Sequence, residues 1–107
     1  MIHLRVYEQR DLVVKFVVSG HADYSESGSD IVCSAVSALV INAINSAEKL
    51  LDIRLNVKDD GNTLNCWVPA TFLSDVQLQL LLQSMVFGVE QTAHAYPNYA
   101  QVTYYRQ

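Results

Sequence analysis

Residues 11 to 37 read DLVVKFVVSGHADYSESGSDIVCSAVS. Two apolar periods meet here across a polar gap. Residues 11–19 are rich in β-branched side chains, the composition of a buried strand. Residues 22–29, ADYSESGS, hold three serines, one glycine and two acids, and read as a loop. From Ile31 the period changes: Ile31, Val32, Ala35, Val36, Leu39, Val40, Ala43, Ile44 and Ala47 recur at helical spacing. The spacing predicts a helix over about 30–50, with Ser29 or Asp30 as its N-cap.

The flanks extend the pattern. IHLRVYE (2–8) alternates, and a hairpin through Gln9 and Arg10 is its natural link to the strand at 11–19. LDIRLNVKD (51–59) alternates again, DDGN (59–62) is a turn, and TLNCWVP (63–69) returns, with Leu64, Cys66 and Val68 sharing one face. Pro69 ends that strand, having no N–H to donate. A second helix runs from a cap at Ser74 or Asp75 to about Ala95. Its apolar stripe is Val76, Leu78, Leu81, Leu82, Met85, Val86 and Val89. YAQVTYYR (99–106) is a last strand. The order ββαββαβ predicts an α+β, two-layer domain over 1–107, with a mainly antiparallel sheet and two helices on one face.

The chain has 107 residues, half of them apolar, and a formal charge of −4. That composition makes a folded globule rather than a disordered chain. With no basic run, direct nucleic-acid binding is not expected. MIHLRVYEQR has no charged start followed by an apolar signal core, so no signal peptide is expected there, and the longest apolar stretches fall far below a membrane span of roughly 20 residues. Two cysteines, Cys33 and Cys66, make no disulfide framework. The expectation is a cytoplasmic protein with no membrane partner.

His21 and Cys33 stand twelve apart across the loop. Cys33 falls in the first turn of the predicted helix, where unpartnered N–H groups carry partial positive charge and stabilise a thiolate or an oxyanion. If the loop folds back, the His21 imidazole reaches the thiol and takes its proton. Asp30 is placed to cap the helix, orient His21, or do both. Ser37, one turn after Cys33, shares its face. These residues alone leave three readings open: a Cys-His peptidase, a non-catalytic ribosome-assembly or peptide-binding module, and a redox sensor.

The stretch G-H-A-x-x-x-x-x-G-x-D-I-V-C-x-A-V-S resembles the signature of the ribosomal-processing cysteine protease family, called Prp. The matching positions are Gly20, His21, Ala22, Gly28, Asp30, Ile31, Val32, Cys33, Ala35, Val36 and Ser37. Ser34 stands where the family more often has Ala. The resemblance implies a cytoplasmic cysteine endopeptidase with Cys33 as nucleophile, His21 as general base, and Asp30 and Ser37 in support. Its implied substrate is the N-terminal extension of a large-subunit ribosomal protein (number twenty-seven), cut after a pair of aromatic residues. It also implies a homodimer and a mobile loop between His and Cys. Ala22, Asp23, Tyr24, Ser25, Glu26, Ser27, Gly28 and Ser29 would then form a substrate-gating lid.

Elsewhere the readings are plainer. Cys66 is a core residue by its alternation. His3 and His94 lack metal-ligand spacing, and neither a metal nor a cofactor is expected. Asp59, Asp60 and Asn62 fit a hairpin turn better than a calcium loop. Leu80, off the main stripe of the second helix, allows a dimer face there. Trp67, Tyr99 and Tyr105 are read as ordinary packing residues.

Overall fold

The computed structural model describes the backbone at residues 1–20 and 27–107, and side chains at 1–20 and 31–107. The elements follow the expected order: β1 (Ile2–Gln9), β2 (Leu12–Ser19), α1 (Ser27–Leu51), β3 (Asn56–Asp59), β4 (Thr63–Trp67), α2 (Val76–Ala95) and β5 (Ala100–Arg106). The sheet order is β3-β4-β2-β1-β5. Only the β1–β5 pair is parallel; the others are antiparallel. Both helices cover one face of this α+β sheet.

Alternation explains that layering. Ile2, Leu4 and Val6 of β1 point inward with Phe16 and Val18 of β2 and Cys66 of β4. Val32, Val36, Val40, Ala43 and Ala47 of α1, and Leu78, Leu82, Met85, Val86 and Val89 of α2, close over them. Val76, expected in the α2 stripe, is instead 80% exposed, because it precedes the first turn that meets the sheet. Gln79, at an apolar-stripe spacing but polar, is buried in its place.

The β1–β2 hairpin closes through Arg10 and Asp11, both left-handed, with φ of 52° and 65°. Two adjacent positive-φ residues are the type I′ geometry that matches strand twist. The register then slips between Tyr7 (opposite Lys15) and Glu8 (opposite Val13), leaving Val14 as a bulge. The bulge is why Val13 and Phe16, three apart, both face the core.

Three expected boundaries are corrected. The strand at 51–59 shrinks to Asn56–Asp59. The helix runs on to Leu51, Asp52 turns left-handed (φ 56°), and the Ile53 N–H bonds back to the Ala47 carbonyl at 3.0 Å. Ile53 and Leu55 still alternate inward, but Asn56 already pairs with Trp67, the last residue of β4, so no partner strand reaches them.

Helix α1 begins at Ser27, three residues before the expected start, so residues 27–29 of the segment read as a loop are helical. No proline stands at 27–30 to stop the helix from extending there. Ser29 and Asp30 are therefore inside the helix and cannot be its N-cap. Finally, Ile31–Leu51 has a mean hydropathy of 1.5 and is long and apolar enough to cross a membrane by length and composition, although no apolar run within it approaches that length. Its buried stripe lies on the sheet.

The sheet face away from the helices is uncovered. Across it run the rows Asn56–Trp67–Lys15–Tyr7–Tyr105, Lys58–Asn65–Val17–Arg5–Thr103 and Thr63–Ser19–His3–Gln101.

Candidate active site

The site lies where β2 ends and α1 begins. Gly20, the last described residue before His21, has φ of +92°. A Cβ built there would meet the Met1 carbonyl oxygen at 2.1 Å. Only glycine leaves β2 by this path, hard against Met1 just before β1. The glycine of the Gly-His pair thus sets the direction in which the chain departs toward His21, a role that its place in the signature did not reveal.

Cys33 sits on the sheet-facing side of α1 and is 6% exposed. Because α1 starts at Ser27, Cys33 is its seventh residue, in the second turn and not the first. Its N–H falls within the regular i to i−4 spine, and the positive end of the helix lies a turn away. The expected assistance from first-turn N–H groups at the sulfur is corrected accordingly. Ser37, half-buried, follows one turn later on the same face.

Beside Ser37 opens a cavity of about 240 Å³. Val18, Val40, Ile41 and Leu64 give it aliphatic walls, and Asp59 and Gly61 form its polar rim. The rim is braced: the Asp59 carboxylate accepts from the Gly61 N–H at 2.9 Å, and Asp60 accepts from Asn62 and Thr63 at 2.9 and 2.7 Å. Those N–H bonds also hold the Asp60 carboxyl below its ordinary range. Both acids serve the β3–β4 turn, with Gly61 at φ +89°, as the hairpin reading expects.

His21, Ala22, Asp23, Tyr24, Ser25 and Glu26 lie outside the described residues, as do the side chains of Ser27, Gly28, Ser29 and Asp30. The backbone puts Asp30 three residues, just under one helical turn, before Cys33. Cys66 is a core thiol with no exposure, on β4, and burial pushes it up to about 12. The two cysteines are not joined by a disulfide. Among the described residues no cluster of His, Cys, Asp and Glu could hold a metal. His3 faces the opposite side of the sheet, 2.7 Å from the Thr103 hydroxyl, and His94 closes the last turn of α2.

A nearly buried thiol on the sheet-facing side of α1, one helical turn from a serine that lines an apolar cavity, has the parts of a thiol peptidase. Comparison with known proteins agrees. The family model for the cysteine protease Prp matches residues 1–101. The ribosomal processing cysteine protease Prp of Bacillus subtilis is 28% identical over 95 residues, covering 85% of each chain. The crystal structure of SMU.848 from Streptococcus mutans superposes with a TM-score of 0.93 at 29% identity, covering 100% of this chain and 96% of that one. The Staphylococcus aureus Prp structure with a covalently linked product peptide superposes at 0.86 with 27% identity, covering 98% of this chain and 100% of that one. The chain belongs to the Prp family of cysteine proteases. It is an enzyme of the ribosomal-processing protease class, as the signature at 20–37 implied.

Proposed function

We propose that this protease removes the N-terminal extension of a large-subunit ribosomal protein (number twenty-seven), cutting after an aromatic pair. The observation that carries the reading is the position of Cys33, one turn from Ser37 and its apolar cavity of about 240 Å³. That cavity suits an aromatic substrate side chain, and its neighbouring thiol suits attack on the carbonyl that follows.

The Cys33 sulfur is the nucleophile and His21 the general base. The thiol proton passes to the imidazole as sulfur adds to the scissile carbonyl. The same proton then leaves with the amine of the mature protein, and water hydrolyses the thioester. Asp30, excluded from capping by the helix start at Ser27, orients His21. Ser37 donates its hydroxyl to the substrate backbone. The segment from Ala22 to Glu26, leading into the first helical residues Ser27 to Ser29, gates the site. A product peptide covalently linked to the S. aureus relative supports covalent catalysis.

The cytoplasm, where such a substrate is assembled, is the location this reading requires. The homodimer forms across the helical layer. There Leu50 and Leu80 line a common depression at 73% and 66% exposure, and Phe87 stands two turns beyond Leu80, itself 60% exposed. The uncovered sheet face, whose cross-strand rows carry Arg5, Lys15 and Lys58 and no acid, is a poor alternative for self-association, since two copies would bring like charges together.

The test is cleavage of a peptide carrying the substrate's N-terminal extension, read by mass spectrometry. The wild type cuts after the aromatic pair, and Cys33→Ala and His21→Ala do not. A folded wild type that cuts nothing overturns the substrate reading. Cleavage by either variant overturns the dyad.

A further inference from the structure

The uncovered sheet face concentrates positive charge on an acidic chain. Three of the seven Lys and Arg residues, Arg5, Lys15 and Lys58, lie in its cross-strand rows, and none of the residues in those rows is an acid. Among the described residues the ion pairs are Arg54–Glu48 and Arg106–Glu8, so these three cations have no carboxylate partner there. Charge is joined by flat π surface. Tyr7 and Tyr105 stack at 4.8 Å between centroids and 20° between planes. The Lys15 ammonium lies 5.1 Å from the Tyr7 ring and 5.1 Å from the Trp67 ring. Trp67, Lys15, Tyr7 and Tyr105 thus form one continuous ladder across β4, β2, β1 and β5. It borders a groove of about 600 Å³, a ligand-sized volume, whose lining also includes Glu8, neutralised by its ion pair with Arg106. Trp67 and Tyr105 remain 36% and 45% exposed, an unusual investment of aromatic surface in solvent.

The geometry points to a docking face for single-stranded RNA, separate from the protease site on the other side of the sheet. Unpaired bases present π faces that stack on exposed aromatic rings, and phosphates seek unpaired cations. An acidic peptide would meet the cations but leave the aromatic ladder unused. A duplex hides its base faces and favours longer basic tracks than this face offers. The choice of RNA over other single strands rests on the proposed ribosomal substrate. No linear basic run announces this face, because its cations come one from each of three strands.

The experiment uses the full chain and a labelled twelve-nucleotide oligo(U). Trp67 is the only tryptophan, so its fluorescence reads stacking at this face directly. The expected result is quenching on titration, and anisotropy binding that weakens with salt at a log–log slope of about −0.7 per phosphate contact. Lys15→Gln flattens the slope by about one such contact. Tyr105→Ala weakens binding by about 5- to 100-fold, and Tyr105→Phe retains it, because stacking needs the ring and not the hydroxyl. Thermal unfolding of each variant confirms that it is folded.

Absence of quenching, salt-independent binding, or binding indifferent to Lys15→Gln and Tyr105→Ala overturns the inference. Equal competition by polyglutamate overturns it in favour of an acidic peptide. A wild-type dimer that Tyr105→Ala turns into a monomer overturns it in favour of a second copy. Peptide cleavage by the same preparations is an independent readout. A wild type that cuts peptide but ignores oligo(U) sinks this inference alone, and one that binds oligo(U) but cuts nothing sinks the substrate reading alone.

Discussion

The side-chain amide of Gln79 brackets the backbone of Val13. Its Oε1 accepts from the Val13 N–H at 2.8 Å, and its Nε2 donates to the Val13 carbonyl at 3.0 Å and to the Leu73 carbonyl at 2.9 Å. The reason lies in β4. Its ladder with β2 ends with the Val68 N–H on the Val14 carbonyl, and Pro69 has no N–H to continue it. Gln79 takes the place of the missing strand residue. Gln79→Leu keeps the bulk but orphans buried backbone groups, and is expected to cost about 2–4 kcal/mol of stability. Urea denaturation measures it; a loss under 1 kcal/mol would show that water satisfies Val13 equally well.

Gly20 permits a different prediction. Alanine there must hold a φ of +92° and push away the Met1 carbonyl, which an added Cβ would approach to 2.1 Å. Strain of this kind costs about 1–3 kcal/mol. Peptide cleavage by Gly20→Ala should fall further than the loss of folded protein explains, since the exit toward His21 is redirected. Thermal midpoint and kcat/KM measured together separate the two effects, and a proportionate fall would leave Gly20 a purely structural residue.

The two cysteines should differ in chemistry. Burial raises the Cys66 thiol from 9.0 to about 12, so it stays protonated and inert near neutrality. Iodoacetamide at pH 7.5 is expected to add one carbamidomethyl group to the native chain and none to Cys33→Ala. The sign of the linkage also follows. With its folded value raised, the Cys66 contribution to stability is complete below 9.0 and is lost as pH rises toward 12. Denaturation of wild type and Cys66→Ala across that window should show the steeper alkaline loss in the wild type.

His3 works in the opposite direction. Burial first, then the neighbouring Arg5 charge, lower its pKa. The folded state therefore binds the proton less readily than the unfolded one. Stability from this group is complete above the ordinary histidine value, and is lost as pH falls through the depressed one. His3→Gln, which can still meet Thr103, should remove that acid-side slope. Equal slopes in both chains, from chemical denaturation at pH values below the ordinary histidine pKa of about 6.5, would show His3 to be uncoupled from folding.

Much of this protein was legible one segment at a time. A period of two marked the outer strands, β-branched composition marked β2, and a period near 3.6 marked both helices, because a period reports which side of a single element faces apolar neighbours. Asp75 was readable as a cap and accepts from the Leu78 N–H at 2.9 Å. The signature from Gly20 to Ser37 was readable because its residues are contiguous. Alternation at Ile53 and Leu55 showed burial but not pairing, since a strand also needs a partner of matching length.

What tertiary structure alone decided are the contacts between distant segments. Nothing local says that β5 runs parallel to β1, about 100 residues away in sequence, or that Gln79 completes the bulged strand at Val13. Nor does any linear run show Arg5, Lys15 and Lys58 gathered on one face of an acidic chain. Sequence carries the propensity of each residue for a face; which faces meet is settled by close-packing and hydrogen-bond completion across the whole molecule.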